Sequence, residues 1–167
     1  VEGTTIADAE VERLSRKTKL VDVIWELESG EKVIISTTRP ELICACGVVV
    51  VHPDDQRYNH LIGKKIKLPI PVNGRENTVE IKTHSSVKSE FGSGVLMVCS
   101  FGDQNDVAIF RDLGLKPFQA INLEGRMTDL AGPWAGMEIK DARSSVINYL
   151  TENNLVDDIE EREQEVP

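Results

Sequence analysis

Three short polar clusters stand at the ends of apolar runs, and each carries side chains able to bind a small charged ligand. Thr37-Thr38-Arg39-Pro40-Glu41 directly follows the run Val33 to Ser36. Pro40 keeps Arg39 out of the helical region, so the run should end in an extended segment presenting two hydroxyls, a guanidinium and a carboxylate. An ordinary strand-to-loop exit has the same composition. In Phe91-Gly92-Ser93-Gly94, glycines flank a serine, which lets the backbone approach a ligand or simply makes a turn. Phe101-Gly102-Asp103-Gln104-Asn105-Asp106 lies between an apolar run and a helical pattern. Asp103 and Asp106 there are either the N-cap and first-turn acid of a helix, or carboxylates turned into a cleft to receive an ammonium group.

More familiar chemistry is missing. There is no phosphate loop, no G-x-G-x-x-G, no G-x-S-x-G and no H-E-x-x-H. Cys44, Cys46, Cys99 and His52 invite a zinc reading, but paired zinc ligands sit two to four residues apart, whereas one residue separates Cys44 from Cys46. At strand spacing both would point to one face. The expectation is three reduced, buried thiols and no metal.

The elements that must carry these clusters are short and mostly β-like. Val21 to Leu27 and Lys32 to Ser36 flank Glu28-Ser29-Gly30-Glu31 as a hairpin, and Gly47 to His52 reads as a strand covered on both faces. Asp54 to Gly63 reads as a short helix with an acidic start and a glycine stop. Lys64 to Leu68 and Thr78 to Thr83 are strands around a connection containing Asn73-Gly74, and Gly94 to Ser100 is another. Asp103 to Leu113 and Ile139 to Asn153 read as helices, Lys116 to Asn122 as a strand. Many short strands with few helices predict a β-rich α/β domain, barrel-like with peripheral short helices, rather than a doubly wound sheet.

The 167 residues suit one domain with its own core. A net charge of −9 argues against a self-sufficient nucleic-acid binder, but the stretch from Asp157 to Pro167 alone carries −5 and reads as a solvated linker end. Lys64, Lys65 and Lys67 form a local basic stretch, or guard an exposed strand edge. No apolar stretch approaches the ~20 residues of a membrane span, and no secretory segment is visible. Beginning at Val1, the chain reads as an excised piece of a cytoplasmic protein without membrane contact.

The ordered series of motifs resembles a known family. Thr37 to Glu41, then Val48 to Tyr58, then His60 to Lys64 resemble the first half of the editing (CP1) domain of valyl-tRNA synthetases. Phe91 to Gly94, Asp103 to Asp106, Ala131 to Met137 and Asp141-Ala142-Arg143 match its second half, and Ala7 to Glu12 is similar to the connector entering it. The isoleucyl and leucyl enzymes carry homologous domains, but Glu10-Val11-Glu12 and His52 to Lys64 look more like the valyl form. Where many bacterial members have threonine after the glutamate, this chain has Leu42, followed by Ala45-Cys46-Gly47. A lysine and a threonine of the bacterial pocket align with Met97 and Cys99, so the pocket should be less polar, as in a divergent, archaeal-type branch.

The resemblance implies a connector at 1–17, an editing domain at 18–155 and an acidic linker end at 156–167. It implies hydrolysis of misacylated tRNA, Thr-tRNA(Val) above all, with a catalytic group of Thr38, Asp103 and Asp106 and a substrate-binding group of Thr37, Arg39, Glu41, Phe91, Gly92, Ser93, Met97 and Cys99. Asp106 would take the amino group of the misattached amino acid. The implied partners are the acceptor end of tRNA(Val) carrying threonine and the remainder of a parent synthetase. Editing would need no cofactor, ATP serving only the parent's synthetic domain, whose signature sequences this chain lacks. Two other readings stay open: an isoleucyl- or leucyl-type editing domain, and a module that holds the tRNA acceptor end without hydrolysing it.

Overall fold

The structure is a computed structural model and describes residues 15–99 and 104–165. The strands β1 (Ser15–Leu27), β2 (Lys32–Thr37), β3 (Cys46–Val51), β4 (Lys65–Lys67), β5 (Thr78–Thr83), β6 (Val95–Cys99) and β7 (Val156–Glu165) form one sheet. Its order is β2-β1-β4-β5-β3-β6, with β7 added on β1, and every pairing is antiparallel except β3 with β5. The sheet curls until its ends approach: Ser93, just before β6, donates from Oγ to the carbonyl of Ile34 in β2. The result is the β-rich, nearly closed barrel that the short strands predicted.

Alternation explains the curl. In β1, Val21, Val23, Trp25 and Leu27 are buried, while Asp22, Ile24 and Glu26 are not, so one face lines the barrel interior. The unbroken run Val48 to Val51 has no such alternation because both faces are covered. Val49 and Val51 join the interior, whereas Val48 and Val50 pack with Ile109 and Phe110 of α1 (Gln104–Asp112). Gly47 makes that seat possible, since a Cβ there would lie 2.4 Å from Phe110 Cζ. The second helix, α2 (Ile139–Glu152), presses Ala142, Val146 and Leu150 into the interior at the i, i+4 spacing of one helix face.

The hairpin, the strand at 78–83 and both helices stand where the pattern puts them, within the usual shift of a residue or two at element ends. The predicted 54–63 helix is a 3-10 helix, Gln56–Leu61, capped by the Asp55 carboxylate on the Arg57 N–H. Three expectations need correction. Lys116 to Asn122 is not a strand; it keeps a single bridge, Ile121 with Met127, because Pro117 offers no N–H and its partner turns away into the 3-10 helix Asp129–Trp134. The acidic end is not an irregular linker: residues 156–165 pair along β1, with Asp157 to Glu161 still exposed to solvent. Lys19 stands opposite Glu161 in that register, an opposite-charge pair across the two strands. Finally, Arg39 stays out of the helical region as expected, at φ −134° and ψ 67°, but the segment stops there, since Pro40 opens the 3-10 helix Pro40–Ala45 that takes in Glu41. The Ala7 to Glu12 motif lies outside the described residues.

Candidate functional site

The end of β2 and the residues after it form one wall of a cleft of about 230 Å³; β6 and the first turn of α1 form the other. Thr37, Thr38, Arg39, Phe91, Met97, Cys99 and Asp106 all line it. Three clusters spread along the chain from Thr37 to Asp106 thus meet because β6 folds back towards β2. Met97 and Cys99 are two apart in β6, so strand alternation presents them together. Asp106 sits in the first turn of α1, half-buried at the cleft. Its two sequence readings are therefore not exclusive: it occupies the helix end where negative charge is favoured, and it also faces the cavity.

Hydrogen bonds preset the wall. The Arg39 N–H donates to Thr37 Oγ1 (3.0 Å), so the Thr37 hydroxyl has its own proton to give. Ser36 Oγ donates to Asp22 Oδ1 (2.7 Å), which leaves its lone pairs as acceptors. Ser36, Leu42 and Leu96 line the cleft and escaped the sequence reading. A hydroxyl adjoining Thr37-Thr38 was a signal for Ser36; the two leucines are ordinary apolar residues until the fold places them.

The structure does not bring every predicted residue into the cleft. Glu41 is absent from its lining and fully buried, its carboxylate gripped by Arg143 of α2 (Nε to Oε1 3.0 Å, Nη2 to Oε2 2.8 Å). A buried carboxylate must be paired, and its partner lies 102 positions away, where no local pattern could reveal it. Gly92 and Ser93 line instead a larger cavity of about 430 Å³ on the other side of the Phe91–Gly94 turn, with Arg57, Tyr58 and Lys32. Gly92 takes a positive φ of 55°, and a Cβ on it would lie 2.6 Å from Ser36 Oγ, so its role is to let the turn pass close to β2. Asp103 lies outside the described residues.

Two of the three thiols, Cys44 and Cys99, are held in the neutral form. Cys46 faces Cys99 across the β3–β6 ladder. Its thiol hydrogen bond and burial hold the Cys99 thiol well above the ordinary thiol value. Burial pushes Cys44 up to about 11. Cys99 thus presents a neutral, weakly polar surface to the cleft. Among the described residues no group of three or more His, Cys, Asp or Glu side chains is placed to hold a metal ion, and no helix is long and apolar enough to cross a membrane.

No family model matches the chain. Individual relatives do. The valine–tRNA ligase of Methanopyrus kandleri is 42% identical over 158 residues, covering 92% of this chain and 17% of the relative. That of Nanoarchaeum equitans is 42% identical over 165 residues, 98% of this chain and 21% of the relative. The Aeropyrum pernix enzyme is 38% identical over 154 residues, 92% and 18%. The chain therefore spans about a fifth of the length of these ligases. Among solved structures, GlLeuRS-CP1 superposes with a TM-score of 0.64 at 13% identity, covering 84% of this chain and 98% of that one. A LeuRS from Agrobacterium radiobacter K84, in a ternary complex with tRNA and LeuAMS, superposes at 0.59 and 15% identity, over 91% of this chain and 20% of that one. Such distant likeness speaks to fold alone, and the fold is that of a CP1 domain. With the ordered motifs, the barrel and the valyl identity all in agreement, the chain corresponds to the CP1 domain of valyl-tRNA synthetases.

Proposed function

We propose that this domain hydrolyses misacylated tRNA, with Thr-tRNA(Val) as its substrate, on behalf of a cytoplasmic valyl-tRNA synthetase whose ATP-dependent chemistry lies elsewhere in the parent. The observation that carries the reading is the single cleft in which two threonines, a guanidinium and a carboxylate from distant segments meet. At about 230 Å³ it is smaller than sites for drug-sized ligands, which suits an aminoacyl group whose tRNA stays outside.

The need for such a site follows from the limits of binding. A hydrophobic pocket rejects a hydroxyl-bearing isostere only weakly; for valyl enzymes against threonine, the standard worked case of this limit, discrimination is about 10². A second site must therefore select for the hydroxyl. The Thr37 hydroxyl, already accepting from the Arg39 N–H, donates to the substrate's side-chain oxygen, and Ser36 offers an acceptor. Valine would leave such groups unpaired, at about 1–3 kcal/mol. Met97 and Cys99 supply the apolar remainder of the wall.

Asp106 pairs with the α-ammonium, and Arg39 fixes the ester end. Thr38, with Asp103 as its sequence-predicted companion, positions a water beside the ester carbonyl. The water oxygen bonds to the carbonyl carbon, the bond from that carbon to the ribose oxygen breaks, and a proton passes to the ribose. Free threonine and uncharged tRNA leave. Catalysis here is chiefly placement of the water and the ester in a productive geometry.

The test is single-turnover deacylation with the domain in excess, which overcomes weak tRNA binding by a chain of net charge −9. Thr-tRNA(Val) should be cleaved faster than it decays alone, and Val-tRNA(Val) should not. Cleavage of Val-tRNA(Ile) instead would assign an isoleucyl-type specificity. Retention of Thr-tRNA(Val) without cleavage would make the domain a binding module and overturn the hydrolytic reading.

A further inference from the structure

The Asp141-Ala142-Arg143 motif has no part in the chemistry above, yet Arg143 reaches from α2 to the back of the cleft wall. Glu41 Oε2 is shared: Arg143 Nη2 approaches at 2.8 Å from the α2 side, and Arg39 Nε at 3.6 Å from the cleft side. Glu41 itself is wholly buried, whereas Arg39 and Arg143 are each 38% exposed in their side chains. One buried anion thus stands between two cations, and the nearer, two-pronged partner is the one that does not face the cleft. Thr38 completes the link, since it lines both the cleft and the small pocket on the other side of the segment in which Arg143 lies.

We infer that Arg143 is a positioning residue for the neighbouring cleft: by neutralising Glu41 from behind, it keeps the Arg39 guanidinium at the cleft wall. A buried carboxylate draws in whatever cation can reach it. With Arg143 present, both oxygens of Glu41 are bonded in the fork geometry that carboxylates favour, and Arg39 remains at the longer distance. Without it, Arg39 is the cation already beside Glu41, and it closes on the carboxylate and leaves the cleft. Lysine at 143 would supply the charge but not the fork, and should preserve the arrangement in part.

The role at the cleft rests on the hydrolytic reading above; the movement of Arg39 does not. The test uses the whole 167-residue chain, labelled with ¹⁵N, and follows the Arg39 Nε–H signal, identified by its loss in Arg39→Lys. In Arg143→Met the signal should shift and its exchange with water should slow, because the Nε–H is drawn onto a buried acceptor. Arg143→Lys should fall between, and it serves as the test if Arg143→Met does not fold. In Arg143→Met/Glu41→Gln the pull is removed and the signal should return towards its original position. Deacylation of Thr-tRNA(Val) by Arg143→Met should show KM raised roughly tenfold, the scale of one lost charge-assisted hydrogen bond, with kcat less affected and partial recovery in the double variant. An Arg39 signal unchanged in both shift and exchange in Arg143→Met, or in Arg143→Lys where only that variant folds, would overturn the inference. A wild type that cleaves no ester would count against the hydrolytic reading alone, because the Arg39 signal still decides the positioning claim.

Discussion

Replacing Asp106 by alanine separates its place at a helix end from the ammonium-binding role proposed for it. It lies in the first turn of α1 and also lines the cleft. As a first-turn acid, half-buried beside a helix N-terminus, it is worth about 0.3–1 kcal/mol of stability. For a domain of this size that is a fall in melting temperature of roughly 1–4 °C. In the proposed role, as partner of a substrate ammonium, it would make a charge-assisted hydrogen bond worth about 1.5–3 kcal/mol. Converted at about 1.4 kcal/mol per decade, its loss slows deacylation at low substrate by roughly 10- to 150-fold. The variant should therefore melt almost where the wild type does and cleave Thr-tRNA(Val) far more slowly, with Asp106→Asn between the two. The measurements are a thermal melt and single-turnover kinetics on the same preparations. A variant that melts a few degrees lower but hydrolyses at the wild-type rate would return Asp106 to the helix end and refute the ammonium role.

Two further changes probe the frame around the cleft. Gly47→Ala drives a methyl group into the Phe110 ring, where the Cβ would lie 2.4 Å from Cζ, and should destabilise by about 1–3 kcal/mol. Chemical denaturation should register this, and the smaller ring-free side chain of Phe110→Leu should recover part of it; unchanged stability in Gly47→Ala would show the contact to be loose. The Arg57 fork on Asp55 (Nε 3.0 Å, Nη2 2.8 Å) holds that carboxyl below the ordinary carboxylate value. A depressed folded-state value contributes stability that is fully present above the unfolded value of about 3.9 and is lost as pH falls through the folded one. The stability gap between wild type and Asp55→Asn should accordingly be flat above about pH 5 and shrink on further acidification. A gap that widens in acid contradicts the pairing.

Local pattern alone determined a good deal of this protein. Alternation marked the hairpin of β1 and β2, the unbroken Val48 to Val51 run announced a strand covered on both faces, and helical spacing located α1 and α2, because each signal is complete within one element. The three polar clusters were legible for the same reason: each stands where an apolar run stops. Their meeting in one cleft was decided by the fold, through the curl that brings β6 back to β2. So were the residues whose meaning depends on a distant partner. Glu41 looked like one more cleft carboxylate until Arg143, 102 positions on, claimed it in the interior. The acidic end looked like an irregular tail until β1, at the opposite end of the chain, paired with it as a strand. Charge and hydrogen-bonding capacity are written in a single residue, but what satisfies them is a neighbour in space, and only the tertiary structure names that neighbour.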